Sequence, residues 1–164
     1  MPIVLENNNF TTNIQINARP FLKWAGGKTQ LISELEQRMP QFIKEEKKIE
    51  KYFELFIGGG ALFFYLKQNY EIKKSFIFDI NRELILGYKV IQYNPEGLIK
   101  ILQDLQKKYL RKSYKQREIF FYEIRNHYNE QIKKIDYENF NNDWIERTAL
   151  LIFLNKTCFN GLFR

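Results

Sequence analysis

The stretch Tyr52 to Phe64, YFELFIGGGALFF, decides how the rest of the chain is read. An apolar strand over Tyr52 to Ile57 carries one acid, Glu54, runs into Gly58, Gly59 and Gly60, and gives way at once to an apolar helix start. A strand can turn sharply into a helix only where side chains do not obstruct the backbone, and glycine takes positive φ freely. The helix beyond the turn presents unpaired N–H groups and the positive end of its dipole to whatever sits above it.

Downstream, the helix expected from Ala61 to about Gln68 leads to a second apolar strand, Ser75 to Phe78. That strand closes on Asp79, with Ile80 and Asn81 behind it and a helix from about Arg82 to Gln92. Such alternation predicts an α/β fold in which helices pack on a parallel sheet. Upstream, PFLKWAGGKTQ (Pro20 to Gln30) passes through Gly26 and Gly27 into Lys28 and an amphipathic helix that Met39-Pro40 ends, and Lys44 to Lys51 reads as a charged connector. The turn chemistry of Asn94-Pro95-Glu96-Gly97 marks a change of character. Beyond it the pattern is helical, over roughly Glu96 to Leu110, Lys115 to Ile135 and Asp143 to Leu154, with no convincing strand.

A chain of 164 residues bounds one ordinary domain, or a small domain with a helical appendage. With 45% hydrophobic and 16% aromatic residues it can bury a core; the exception is a polar arm, residues 1–18, expected to be flexible. A net charge of +7 favours a polyanionic partner such as nucleic acid over a neutral small molecule. The single cysteine, Cys158, cannot form an internal disulfide, which points to a reducing, cytoplasmic setting. No apolar run approaches the roughly 20 residues that span a bilayer, and MPIVLENNNFTTN lacks the sections of a signal peptide, so a soluble protein without a membrane partner is expected.

Two nucleotide fingerprints fail, each at a defined residue. A phosphate-binding loop ending in Gly27-Lys28-Thr29 would need glycine where Leu22 stands. The dinucleotide pattern G-x-G-x-x-G is met at Gly58 and Gly60 and broken at Phe63, which makes an NAD(P)-dependent oxidoreductase the weaker alternative. An acid suited to a ribose is nevertheless present: Asp79 ends the second strand, with both carboxylate oxygens expected to be free for the two ribose hydroxyls. What remains is an adenosine-type ligand without a diphosphate, the shape of S-adenosylmethionine. By themselves the glycines also fit a purely structural turn, and Asp79 also fits a helix cap.

Four blocks, FLKWAGGK (Phe21 to Lys28), FELFIGGGALFF (Phe53 to Phe64), FDINRELI (Phe78 to Ile85) and FNGLFR (Phe159 to Arg164), resemble the site-specific DNA adenine N6-methyltransferases of the DNA adenine methylase type, the D12 class, in the family's order. The resemblance implies the first part of a Rossmann-like, class I methyltransferase sheet over residues 19–93 and a helical target-recognition part over residues 94–164. It implies S-adenosylmethionine as cofactor, with Trp24 and Lys28 beside it, Glu54, Phe56, Gly58 and Gly60 at the glycine turn, Asp79 on the ribose and Ile80 against the adenine. The implied partner is double-stranded DNA, methylated at adenine N6. Asn160, Gly161 and Arg164 look like the start of the segment leading into a DNA-contacting hairpin.

The family's catalytic Asp-Pro-Pro-Tyr sequence is not among these residues; the four prolines are Pro2, Pro20, Pro40 and Pro95. An exocyclic adenine amine is a poor nucleophile, so an enzyme must hold it with acceptors that favour the tetrahedral nitrogen developing in the transition state, and must flip the base out of the duplex. The expectation is therefore that no catalytic residue lies in this chain and that alone it is inactive, its family order placing the missing sequence beyond Arg164. The alternative is a catalytically dead or split-enzyme fragment that binds cofactor or DNA, a second chain supplying the segment.

Lys107 to Arg117, KKYLRKSYKQR, has no acidic residue, and Lys107, Lys108, Arg111 and Lys112 are candidates for DNA phosphate contacts, as is Arg164. A solvated helix surface is the plainer reading of the same run. His127, the one histidine, reads as a partly exposed helix residue, and Cys158 as a small buried side chain. No metal ligands stand in a recognised spacing.

Overall fold

The computed structural model describes residues 3–6 and 18–161. They form two compact units, Met1–Ile80 and Asn81–Arg164. The first unit holds a three-stranded sheet made of β1 (Ile3–Glu6), β2 (Lys48–Glu54) and β3 (Glu71–Ile77), in the order β1-β3-β2. β2 and β3 are parallel, as the βαβ pattern predicts, but β1 pairs antiparallel with β3, Val4 opposite Phe76. The sheet is thus mixed and not wholly parallel, and residues 3–6 are a strand where a flexible arm is expected. Four residues are too short for a periodic signal. The alternation shows only in the folded sheet, where Ile3 is buried and Val4 is exposed.

Both long strands begin earlier than the apolar runs suggest. Ile49 of β2 pairs with Ile72 of β3, and the charged residues Lys48, Glu50 and Lys51 around it point to solvent. Those charges conceal the strand in the sequence. Leu55, Phe56 and Ile57, read as strand, instead leave the ladder and begin the turn. Two main-chain bonds hold that departure in place, Phe78 N–H to Glu54 O at 2.8 Å and Ile57 N–H to Phe78 O at 2.9 Å.

Four helical segments surround the sheet: a 3₁₀ turn at Lys28–Leu31, α1 (Ile32–Gln37), α2 (Gln41–Glu46) and α3 (Ala61–Asn69). α2 occupies the start of the expected connector. Lys47, in the left-handed region at φ 54°, ends it and leads into β2. Ile49, Leu66, Tyr70 and Ile72 form a core cluster with Met39, Ile43, Tyr52, Leu62 and Tyr65 packed against it.

The second unit is helical: α4 (Arg82–Tyr93), α5 (Pro95–Leu110), α6 (Tyr114–Gln131) and α7 (Asn142–Thr157), then a 3₁₀ turn at Phe159–Gly161. α7 packs against α4, α5 and α6 and is buried on nearly every side, from Trp144 to Asn155. The change of character at Asn94 does not divide the compact units, because α4 packs with the helices that follow it. The caps account for much of the helix phasing. Asn81, Asn94 and Asn141 each accept a first-turn N–H, Pro95 stands in the first turn of α5, and Ser113 and Gln116 form a capping box.

One polar network lies inside this helical core. Arg147, buried at 1% exposure, donates through Nε and Nη2 to both oxygens of Glu83 at 2.7–3.0 Å, and through Nη1 to Tyr128 O at 2.7 Å. Its guanidinium stacks 4.1 Å from the Tyr128 ring centroid, and Tyr137 donates its hydroxyl to Glu83. Burial, reinforced by that bond to Glu83, pushes the Tyr137 phenol up to about 12, so it remains a donor. The network ties the first turn of α4 to α6, α7 and the loop between them.

Candidate cofactor turn and nucleic-acid surface

Parallel pairing of β2 and β3 brings their C-terminal ends together, Glu54 opposite Ile77. Beyond those ends the two chains meet again, for Gly58 N–H donates to Asp79 Oδ2 at 2.9 Å. Gly58 sits at φ 51° and Gly60 at φ 81°, a region costly for any residue with a Cβ. Gly60 N–H closes the turn on Ile57 O at 2.8 Å, and Gly60 is the N-cap of α3. Asp79 is therefore not a helix cap. That position belongs to Asn81, whose side chain accepts from Glu83 N–H. The expectation of two free Asp79 oxygens is also corrected: Oδ2 is held by the glycine turn, because left-handed Gly58 aims its N–H across the strand ends.

The first sequence block folds against this turn. A Cβ on Gly58 would come within 3.5 Å of Trp24 Cδ1, and one on Gly59 within 3.1 Å of Leu22 O. Lys28 reaches in from the same loop, its Nζ 2.9 Å from Glu54 Oε1 and 2.8 Å from Phe56 O. Glu54 is buried, and its other oxygen, Oε2, accepts the Tyr52 hydroxyl at 2.6 Å. Phe56 and Ile80 expose apolar side chains at 70% and 93%. Trp24, Lys28, Glu54, Phe56, Gly58, Gly60, Asp79 and Ile80 thus all lie at this end of the sheet, Glu54 as the last residue of β2, Lys28 at the start of the 3₁₀ turn and the others in the connecting loops. Tyr52 was not singled out in the sequence, because nothing in its spacing distinguishes it from a core aromatic.

Phe63, which breaks the dinucleotide pattern, is buried in α3, and its ring stacks on Tyr52 with centroids 6.4 Å apart. Where the pattern calls for a glycine that allows close helix–strand packing, this chain fills the space with two rings. At this turn the Lys28 ammonium is paired with Glu54, and the Asp79 carboxylate bonds Gly58 N–H.

In the second unit the basic run divides by environment. Lys107, Lys108 and Arg111, at the end of α5, are exposed. Lys112 is half-buried, its Nζ 5.1 Å from the centroid of Phe120, while Arg117 stacks on Tyr109 and donates to Tyr109 O and Leu110 O at the C-terminus of α5. Asn160 adopts φ 53° and is exposed, and Arg164 lies outside the described residues. Next to Asn160, Phe159 is 85% exposed on a firm base, since buried Asn155 donates to Gly161 O at 2.9 Å. An aromatic ring so exposed is a feature that the sequence block contains but does not reveal. His127 is half-exposed on α6, with Nε2 3.3 Å from Glu146 Oε1. Cys158 is partly buried, not fully as expected.

Residues 24–164 match the D12 class N6 adenine-specific DNA methyltransferases. The chain belongs to that family. It is 45% identical over 149 residues to the type II methyltransferase M.MjaIII of Methanocaldococcus jannaschii, a match covering 91% of this chain and 49% of that protein. Against the type II methyltransferase M1.LlaDCHI of Lactococcus lactis subsp. cremoris the identity is 36% over 156 residues, 95% of this chain and 47% of the relative. Against a DNA adenine methylase of Haemophilus influenzae it is 31% over 150 residues, 92% and 44%. The chain spans about half the length of these curated relatives. No solved structure matches it. Among the described residues no helix is long and apolar enough to cross a membrane, and no cluster of His, Cys, Asp and Glu could hold a metal ion.

Proposed function

We propose that this chain holds S-adenosylmethionine at the Gly58–Gly60 turn and presents the helical unit to double-stranded DNA, for methylation of adenine N6 at a specific site. The observation that carries the reading is the bond from Gly58 N–H to Asp79, which joins the glycine turn and the ribose acid at the ends of two parallel strands. In this reading Asp79 accepts from the ribose hydroxyls, Phe56 and Ile80 give apolar contact to the adenine, and Trp24 lies alongside. Lys28 Nζ has two of its three protons engaged, and the third is available to the carboxylate of the methionine end. The cofactor would supply an electrophilic methyl group on a sulfonium. The β2–α3–β3 unit is, on this account, the opening part of a Rossmann-like sheet.

The acceptors that activate the adenine amine belong to an Asp-Pro-Pro-Tyr sequence that these 164 residues do not contain. The chain alone is accordingly expected to bind the methyl donor and to transfer no labelled methyl group to duplex DNA. Transfer by the purified 164-residue protein would overturn that division of labour.

On the DNA side, Lys107, Lys108, Arg111 and Lys112 would contact phosphates, and Asn160 and Arg164 would lie at the duplex beside the exposed Phe159. Charge and apolar contact separate cleanly in a salt titration. Replacing Lys107, Lys108 and Arg111 by alanine is expected to lower the slope of log affinity against log salt by about 3, at roughly 0.9 per phosphate contact. Phe159→Ala should leave that slope unchanged and weaken binding by about 1–3 kcal/mol, the range for aromatic stacking on bases. Fluorescence anisotropy on a labelled duplex measures both, and an unchanged slope in the triple variant would remove these cations from the interface.

A further inference from the structure

Beneath the glycine turn lies a chain of contacts that the cofactor reading does not by itself require. Tyr52, on β2, donates its hydroxyl to Glu54 Oε2, and Glu54 Oε1 receives Lys28 Nζ, which also bonds Phe56 O. Glu54 is 7% exposed, so each of its oxygens needs a donor, and the two contacts supply one apiece. The Tyr52 ring is in turn held by Phe63, the residue that displaces the third glycine of the dinucleotide pattern. A carboxylate pinned on both oxygens has one orientation. The ammonium bridging it to a main-chain carbonyl then has one position, at the rim of the turn.

We propose that Tyr52 is a positioning residue: acting through Glu54, it sets the Lys28 ammonium where it can meet the carboxylate of an amino-acid-bearing adenosine ligand, with Phe63 fixing the ring. The proposal rests on the cofactor reading above for its ligand, and on the three observed contacts for its geometry. Burial, then the bond to Glu54, raises the Tyr52 phenol far above its ordinary range, so it stays a donor throughout the working pH range. Without its hydroxyl, Glu54 Oε2 is left buried and unpaired, which is costly for a charged group. The carboxylate then reorients, and Lys28 leaves the Phe56 carbonyl.

The test uses the full 164-residue chain and Tyr52→Phe, with calorimetric titration of two ligands. S-adenosylhomocysteine carries the amino-acid end; 5′-methylthioadenosine has the same adenosine and sulfur without it. The variant is expected to bind the first about tenfold more weakly, a change equivalent to about 1.4 kcal/mol, and the second as well as the parent. Glu54→Gln should show the same selective loss. Equal weakening for both ligands would mean that Tyr52 merely supports the fold, and no weakening for either would also overturn the proposal. A parent chain that binds neither ligand would refute the cofactor reading instead. In that event the rate of Lys28 acetylation, read by peptide mass spectrometry, decides the positioning role: it should rise severalfold in Tyr52→Phe, and an unchanged or lower rate overturns it.

Discussion

Asp79→Ala is expected to reduce affinity for S-adenosylhomocysteine by roughly 30- to 1000-fold, corresponding to about 2–4 kcal/mol for losing charge-assisted bonds to the ribose hydroxyls. Two losses combine. The ligand forfeits its acceptor, and Gly58 N–H forfeits the oxygen 2.9 Å away that helps hold the turn. Asp79→Asn separates them, since an amide oxygen can still accept from Gly58 but cannot serve two hydroxyls at full charge; it should fall between the parent and Asp79→Ala. The measurement is calorimetric titration, with thermal melting to establish that each variant is folded. Affinity within experimental scatter of the parent for Asp79→Ala would remove Asp79 from the site.

The largest stability effect is expected at Arg147. Arg147→Ala should destabilise the helical unit by about 3–5 kcal/mol, because it leaves the half-buried Glu83 carboxylate without the cation that fully buried Arg147 supplies. In urea the unfolding midpoint should fall by roughly 2 M. The cause is an abandoned partner and not a strong pair, so the double replacement Arg147→Met with Glu83→Leu should recover much of the loss. Arg147→Lys should recover little, since an ammonium cannot donate in a fork to both Glu83 oxygens while reaching Tyr128 O. A double replacement as unstable as Arg147→Ala would show that shape, and not the uncompensated charge, sets the cost.

Much of the candidate site was legible before any fold was known. The glycine run, the acid at Asp79 and the cation at Lys28 carry their chemistry in residue type and order, and the family resemblance of the first three blocks implies that they act together. Apolar spacing and the turn chemistry at Asn94–Gly97 also foresaw the helices α3 to α7, while the caps at Ser113 and Asn141 emerge only in the fold. Other features were not legible. β1 is four residues whose pairing exists only with β3, and the start of β2 hides its single inward isoleucine among charges. Arg147 and Glu83 are 64 positions apart, and no local pattern links them. Nor does any rule of spacing tell that Phe159 stands out while Asn155, four residues earlier, is buried.

The sequence by itself determined which chemistry is present: a glycine run between a strand and a helix, an acid at Asp79 and a cation at Lys28, a basic run from Lys107 to Arg117, and membership of a DNA adenine methyltransferase family. Those are properties of residue identity and short-range order. The tertiary structure decided what the groups do to one another. It made Phe63 a partner of Tyr52 and not merely a broken motif, assigned one Asp79 oxygen to the turn, and gave both oxygens of Glu54 to Tyr52 and Lys28. The physical reason is that hydrogen bonds and ring contacts depend on distances of a few ångströms, and for residues far apart in the chain only the folded backbone sets those distances.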